Sequence, residues 1–433
     1  MLRTSTTPLR PRPVTTRVIT SFRPLPSLRH LPGNFSATWT TSLTGTSFNP
    51  IRYKSKMVDA TTNPLSGLWK PNHLEKLGYG PNSVEKHLTE SLPSESSRVF
   101  IITGSSLATK TPLVKRVESV LGSRHAGTVA NIKQHAPIVQ LNEATDVILK
   151  DSKIDTLVSV GGGSPIDTAK AISYKVHERV GHYLYHVAIP TTLSAAECTY
   201  NAGLTQGDGV KMGVGHPELV PHVIIYDSKF ALETPPKLWL STGFRALDHA
   251  MELMFHPTAT EVPARQMCLS AASSLFTNLP KYKKDPTNED VITQLQLASF
   301  ASLGFLGTNL KGGLGLSHAL GYALGSPYSI PHGITSCLTL GHVIKLKAQE
   351  PEAAAQIARM APFVGLARTG NDQLDATAVG DAILELVEIV GLKTSLREHN
   401  VGEDQLPIIV QRATRQEQGP LYDKVAELVK GLY

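Results

Sequence analysis

The stretch "GFRALDHAME" (243–252) places a cation, a carboxylate and an imidazole on one short segment. On a helix, Arg245 and His249 stand four apart and share a face, while Asp248 points about 100° away from His249. An imidazole on a fixed scaffold suits zinc or iron(II). A guanidinium stays charged and cannot ligate. The cation one turn before His249 therefore conflicts with a metal at that imidazole. A second stretch, "SVGGGSPIDTAKAI" (159–172), ends an apolar run in three glycines. Ser164 then precedes Pro165 at an expected helix start, with Asp167 in the first turn. Such a turn lets backbone amides approach an anion at the positive end of a helix, and a pyrophosphate is the natural occupant. The same turn also suits a well-capped helix that binds nothing. It is neither GxGxxG nor the P-loop pattern with its terminal Lys-Ser/Thr, so kinase or ATPase chemistry is not indicated.

Positioning these groups falls to two halves with different periods. From about 98 to 230, short apolar runs alternate with helical patterns. "RVFIITG" (98–104), "AGTVAN", "IDTLVSVGG", "YHVAIPTT" and "HVIIYD" read as strands. "LVKRVESVLG" (113–122), "VQLNEATDVILKD" and "SPIDTAKAISYKV" read as helices between them. That alternation predicts a doubly wound, mostly parallel sheet. After "PPKL" (235–238) the strands stop, and helical patterns follow at 237–256, 262–283, 288–310, about 312–323, 333–347, 351–366, 375–391 and 403–415. The expected organisation is a leader over 1–57, an α/β dinucleotide-binding domain over 65–234 and an all-helical metal and substrate domain over 235–433.

The formal net charge of +6 is misleading. Residues 1–58 carry Arg3, Arg10, Arg12, Arg17, Arg23, Arg29, Arg52, Lys54 and Lys56 and no acid. Removing those nine from 42 Lys and Arg leaves 33 against 36 Asp and Glu, a net of −3. The body gives no argument for nucleic acid or an anionic membrane. No run of about 18 apolar residues exists, so no membrane span is expected. The leader, rich in Arg, Ser, Thr and Pro and without a compact apolar stretch, matches a transit peptide better than a secretory signal; a disordered basic tail is the plain alternative. The expectation is the mitochondrial matrix, or the cytoplasm if translation starts at Met57. Cys198, Cys268 and Cys337 show no pairing pattern, so no disulfide framework is expected.

Four stretches together carry a resemblance. "GGGSPIDTAKA", "IPTTLSAAECT" (189–199), "GFRALDHAME" and "GLGLSHALGYALGSPYSIPHG" (313–333) resemble, in order and spacing, the motifs of the iron-containing alcohol dehydrogenase family. With "GLKTSLREHNVGEDQLPIIVQRA" the likeness covers about 65–430. It implies a fold related to dehydroquinate synthase, a nicotinamide cofactor across the cleft, often a divalent metal, and interconversion of an alcohol with a carbonyl. The "IPTTLSAAECT" form is most similar to the maleylacetate reductase branch, which reduces a short keto-dicarboxylate and is regarded as needing no metal. Family members form dimers or larger rings, so a homo-oligomer is expected.

Carried over residue by residue, the resemblance gives Gly161, Gly162, Gly163 and Ser164 to the pyrophosphate and Thr191 and Thr192 to the nicotinamide pocket, with Asp167 and Lys170 supporting that loop. The family's strand-end Asp is replaced by Gly104. A carboxylate there would repel a ribose 2′-phosphate, so its absence admits NADP as well as NAD, with Ser105, Ser106 and Lys110 as phosphate partners. Lys211 either reaches the cleft or is a solvated loop lysine. The family's histidine ligands survive as His249, His318 and His332, but Arg245 replaces the carboxylate ligand, and Asp248 is expected on another side of the helix. At about 4 Å from a divalent ion a guanidinium costs several kcal/mol even at an effective dielectric near 20. A tight iron or zinc site is thus disfavoured, although the three histidines could hold one if Arg245 turned away. Arg245 then stabilises a developing alkoxide or clamps a substrate carboxylate. Tyr322, in place of a family histidine one turn after His318, and His249 are the proton-donor candidates. His332 after Pro331 falls at a helix N-terminus, where a neutral imidazole is favoured. His182, His186, His216 and His222 carry no motif. The expected activity is NAD(P)-dependent reduction of a small carbonyl compound such as a keto-acid. The other readings are a mitochondrial hydroxyacid–oxoacid transhydrogenase and a non-catalytic relative.

Overall fold

Runs of β-branched and aromatic residues that stop at Gly, Pro or Asp build the first half. The computed structural model describes residues 66–130, 138–205 and 211–433, within the compact unit Asp59–Tyr433. The leader expected over 1–57 lies outside the described residues. Strands β1 (Lys76–Tyr79), β2 (Arg98–Thr103), β3 (His125–Val129), β4 (Ile154–Gly161), β5 (Tyr185–Pro190) and β8 (Val223–Tyr226) form one sheet in the order β1-β8-β5-β4-β2-β3. Every pairing in it is parallel. Strands β6 (Asn201–Thr205) and β7 (Lys211–Gly215) pair as a separate antiparallel ribbon.

Helices α1 (Ser83–His87), α2 (Ser105–Lys110), α3 (Leu113–Leu121), α4 (Ile138–Leu149) and α5 (Gly163–Val180) lie between the strands. Successive side chains of a strand point to opposite faces. Accordingly, Val99 and Ile101 of β2 pack with α3 through Leu113 and Val117. Phe100 and Ile102 pack with α4 and α5 through Leu141, Ala144, Ala169 and Ile172. Helices on both faces make the sheet doubly wound and explain why its central strands are buried along almost their whole length.

The second half is helical: α6 (Ser228–Ala231), α7 (Pro236–Met254), α8 (Gln266–Lys284), α9 (Glu289–Leu303), α10 (Leu316–Tyr328), α11 (His332–Lys347), α12 (Pro351–Ala358), α13 (Asp372–Ile389), α14 (Leu406–Thr414) and α15 (Pro420–Lys430). Every residue of α7 from Trp239 to Met254 is buried. A helix surrounded on all sides has no solvent face, so its polar side chains must find partners inside the protein. No described helix is long and apolar enough to cross a membrane.

Several boundaries differ from the sequence pattern. α5 begins at Gly163 with Gly162 as its cap, so Pro165 is the third helical residue and Asp167 falls beyond the first turn. α9 stops at Leu303 and α10 starts at Leu316, with Gly307 and Gly312 at positive φ between them. The pattern does not reveal β1, the β6–β7 ribbon or α15. β1 is short and only half-buried, and the ribbon "NAGLT…KMGVG" is too rich in glycine to show an apolar period.

Candidate active site

Three turns meet at one edge of the sheet. They follow the carboxyl ends of β2, β4 and β5, where open α/β sheets bind ligands. The turn after β4 carries the three glycines. Gly161 has φ 139°, a region that glycine adopts readily and other residues rarely do. A Cβ on Gly162 would stand 3.0 Å from Thr192 Cγ2, and one on Gly163 would stand 3.4 Å from Ser194 Oγ. The N-terminus of α5 has no side-chain cap, so its first amides stay open to an anion. Thr191 N–H donates to Gly161 O at 2.9 Å and ties the second turn to the first. Thr191 and Thr192 are buried, and Thr234 Oγ1 donates to Thr191 O at 2.6 Å. Gly104 follows Thr103, whose partner Val160 precedes Gly161, so Gly104 and the glycine turn are neighbours on the edge. Ser105 is exposed.

Asp167 Oδ2 accepts from Gly203 N at 3.4 Å, and its other oxygen lies 3.6 Å from Lys170 Nζ. The Lys170 ammonium is fully buried and bonds the β5–β6 connection.

The helical half reaches the same edge through α7. Thr242 Oγ1 accepts from Leu193 N at 3.1 Å, joining α7 to the Thr191–Thr192 turn. Gly333, in the first turn of α11, packs so closely on Ser241 that a Cβ would stand 2.4 Å from its carbonyl carbon. Thr242, Arg245 and His249 then follow at helical spacings of three and four on one face of α7. Arg245 is 9% exposed. Its Nη1, His249 Nδ1 and His318 Nε2 are buried nitrogens without a hydrogen-bond partner in the protein. The His249 and His318 rings lie 4.9 Å apart. His332 begins α11, and its ring meets Tyr322 edge-on at 6.0 Å. Tyr322 is 58% exposed, the outermost of these groups.

Asp248 lies on the adjacent face of α7, and that face meets a histidine of another helix. Its Oδ1 lies 3.4 Å from His318 Nδ1, and its Oδ2 lies 3.5 Å from Arg245 Nη1. Ser317 and Ser336 hydroxyls donate to Oδ2 at 2.9 and 2.7 Å. Glu252, one turn later, accepts from Ser317 N at 2.6 Å and from His318 Nδ1 at 2.7 Å. A helix angle measured from His249 misses this pair because α7 is buried all round, and its other side is a second interior. The 248/252 spacing of four was the available signal.

Charge runs through this network. Burial and Arg245 push the His318 pKa down, but Asp248 and Glu252 outweigh them and it rises. Burial alone would raise Asp248, yet His318 and Arg245 hold its carboxyl below the usual range. Burial, then His318 and Arg245, keep His249 neutral far below its ordinary value.

Asp248, Glu252 and His318 place ligand-type atoms within 4.8 Å of one another, a metal-capable group among the described residues. His249 and His332, expected as ligands, are not part of it. The group does not suit a resident divalent ion as it is arranged. Glu252 is taken up by Ser317 N and His318 Nδ1, two hydroxyls hold Asp248, and the permanently charged Arg245 guanidinium stands 3.5 Å from Asp248, where it would repel a divalent ion.

Comparison with known proteins bears on the same residues. Residues 75–228 match the model of the iron-containing alcohol dehydrogenases, and residues 239–426 match that of the C-terminal part of the Fe-containing alcohol dehydrogenase family. The chain is 30% identical to maleylacetate reductase 2 of Cupriavidus pinatubonensis over 65% of this chain and 76% of that protein. It is 27% identical to the 1-propanol dehydrogenase PduQ of Citrobacter freundii over 74% and 83% of the two chains. The crystal structure of maleylacetate reductase from Agrobacterium tumefaciens superposes with a TM-score of 0.72, at 21% identity, over 85% of this chain and 98% of that one.

Proposed function

The chain belongs to the iron-containing alcohol dehydrogenase family, and from that premise we propose that it reduces a small keto-acid with a nicotinamide dinucleotide while Arg245 stands in for the metal. The glycine turn suits the dinucleotide: its amides are uncapped, and the close approach of Thr192 and Ser194 leaves a cradle that side chains would fill. Gly161, Gly162, Gly163 and Ser164 hold the pyrophosphate, and Thr191 and Thr192 line the nicotinamide side. When bound, the dinucleotide supplies a hydride to the substrate carbonyl carbon. Gly104 and Ser105 leave the adenosine end without a carboxylate, which admits either NAD or NADP.

One observation carries the proposal: a buried guanidinium on the family's metal-binding helix, at helical spacing from Thr242 and His249, with Nη1 3.5 Å from Asp248 and without a hydrogen-bond partner. Held in place before the reaction, it stabilises the oxygen that becomes negative as the carbonyl is reduced, or pairs with the neighbouring carboxylate of a keto-acid. Asp248 keeps Arg245 from swinging away. His249, neutral at physiological pH, hydrogen-bonds the substrate and stores no proton. The exposed Tyr322 phenol, one turn beyond His318, delivers the proton to the alkoxide. The relatives named as maleylacetate reductases support a keto-dicarboxylate as the first substrate to try.

The test is oxidation of NADH and NADPH with a panel of short keto-acids, run with and without EDTA beside metal analysis. The expected result is turnover that resists chelation, with little bound metal. Stoichiometric iron or zinc, with activity lost to the chelator, would overturn the role given to Arg245.

A further inference from the structure

Gly321 sits inside α10, four residues after Ser317 and three after His318, so it shares the face that those two turn to α7. Glycine in a helix interior is less favourable than alanine, and a buried one needs a reason. Its surroundings supply one. A Cβ on Gly321 would stand 3.1 Å from Thr335 Oγ1 and 3.5 Å from Arg245 Nη1. Helices α7, α10 and α11 therefore meet at a point where α10 contributes no side chain.

Two of the three neighbours at that point are fixed. Thr335 Oγ1 donates to His332 O at 2.8 Å, Thr335 N donates to Pro331 O at 3.1 Å, and Thr335 O accepts from Thr339 Oγ1 at 2.9 Å. Two residues earlier, Gly333 packs on the Ser241 backbone and seats α11 on α7. On α10, Ser317 N and His318 Nδ1 donate to Glu252 at 2.6 and 2.7 Å. The guanidinium is the neighbour with slack. It ends a long, flexible side chain, and its Nη1 has Asp248 Oδ2 at 3.5 Å and no hydrogen-bond partner. A 3.1 Å contact is too close for a Cβ, so a side chain at 321 must shift α10 or its neighbours, and either shift changes the gap that Nη1 fills.

We infer that Gly321 is a positioning residue for Arg245: by carrying no side chain, it leaves the space in which the guanidinium head rests beside Asp248. This rests on the role given to Arg245 above. A glycine needed for helix packing alone would have the same effect on turnover whether or not Arg245 is present. A glycine that acts through Arg245 loses its effect once the guanidinium is gone.

The experiment is a double-mutant cycle on the full chain: wild type, Gly321→Ala, Arg245→Met and the double variant. Each is assayed by NAD(P)H oxidation with the keto-acid that the wild type reduces best, well below all four unfolding midpoints. Gly321→Ala alone is expected to lower kcat/KM about tenfold, and in the Arg245→Met background to change it by less than about twofold. Gly321→Val, a larger intrusion, is expected to bring kcat/KM down to the level of Arg245→Met; where it does not fold, the alanine cycle decides. An equal loss from Gly321→Ala in both backgrounds, or no loss in either, overturns the inference and leaves the role of Arg245 standing. A Gly321→Ala variant that does not fold overturns it as well, because the glycine then serves packing first. An Arg245→Met variant as active as wild type, or a wild type that reduces no keto-acid, is a different result, which removes the reading of Arg245 and this inference with it.

Discussion

Replacing Arg245 with methionine keeps an unbranched apolar stem and removes the guanidinium with its charge. In the structure, Nη1 lies 3.5 Å from Asp248 Oδ2. Two unit charges at that distance attract by roughly 4–5 kcal/mol at an effective dielectric near 20. The lost attraction is offset in part, because the guanidinium no longer has to be buried. Asp248 also keeps its bonds from Ser317 and Ser336 and its contact with His318. The net loss of stability is therefore below the roughly 3–5 kcal/mol that an uncompensated buried charge costs. Catalysis loses more. A preorganised donor at a developing oxyanion is worth roughly 10²- to 10³-fold in kcat. The expected outcome for Arg245→Met is a soluble protein whose unfolding midpoint falls by a few degrees and whose kcat/KM for a keto-acid falls by roughly 10²- to 10³-fold. The assay is the decrease in NAD(P)H absorbance with wild type and variant, each with and without EDTA, and a thermal scan of both. Variant activity within threefold of wild type, or chelator-sensitive activity in wild type, would refute the reasoning about the buried cation.

Three other outcomes follow from the same structure. Gly333→Ala places a Cβ 2.4 Å from the Ser241 backbone and separates α11 from α7; thermal unfolding is expected to show a loss of roughly 1–3 kcal/mol, and an unchanged midpoint would contradict the packing. Burial lowers the pKa of His222 to about 4, so the folded state resists protonation that the unfolded chain accepts. That contribution is present above pH 6.5, the ordinary value, and is lost as pH falls toward 4; His222 is partly exposed, so urea unfolding at pH 5 against pH 7 is expected to show a loss of roughly 1 kcal/mol from this residue, absent in His222→Asn. Gly104→Asp puts a carboxylate beside the glycine turn, and the ratio of NADPH to NADH affinity is expected to fall roughly tenfold by calorimetric titration; an unchanged ratio would remove Gly104 from coenzyme selection.

The sequence determines the central strands, the alternation that makes the sheet parallel and the change to helices after "PPKL", because apolar runs and helical periods are local signals. It also locates the glycine turn, since three successive glycines after a buried run are a backbone requirement written in residue types. Arg245, His249, His318 and His332 are found by the resemblance of their stretches to the family's motifs. Weak local signals hide β1, a short strand whose partner β8 lies far along the chain, and the β6–β7 ribbon, whose strands are glycine-rich.

Tertiary structure alone decides which polar groups face one another. Periodicity gives the angle between Asp248 and His249 on α7, but not what lies on each side of a helix that is covered all round. Only packing brings α10 and α11 against it, so that Glu252 meets His318, and Ser317 and Ser336 meet Asp248. Likewise, the spacing of Lys170 from the glycines is visible in the chain, while its acceptors lie 26 to 31 residues away on another connection. Burial energy depends on what surrounds a group in three dimensions, so the charge state of these residues belongs to the fold and cannot be read from their order along the chain.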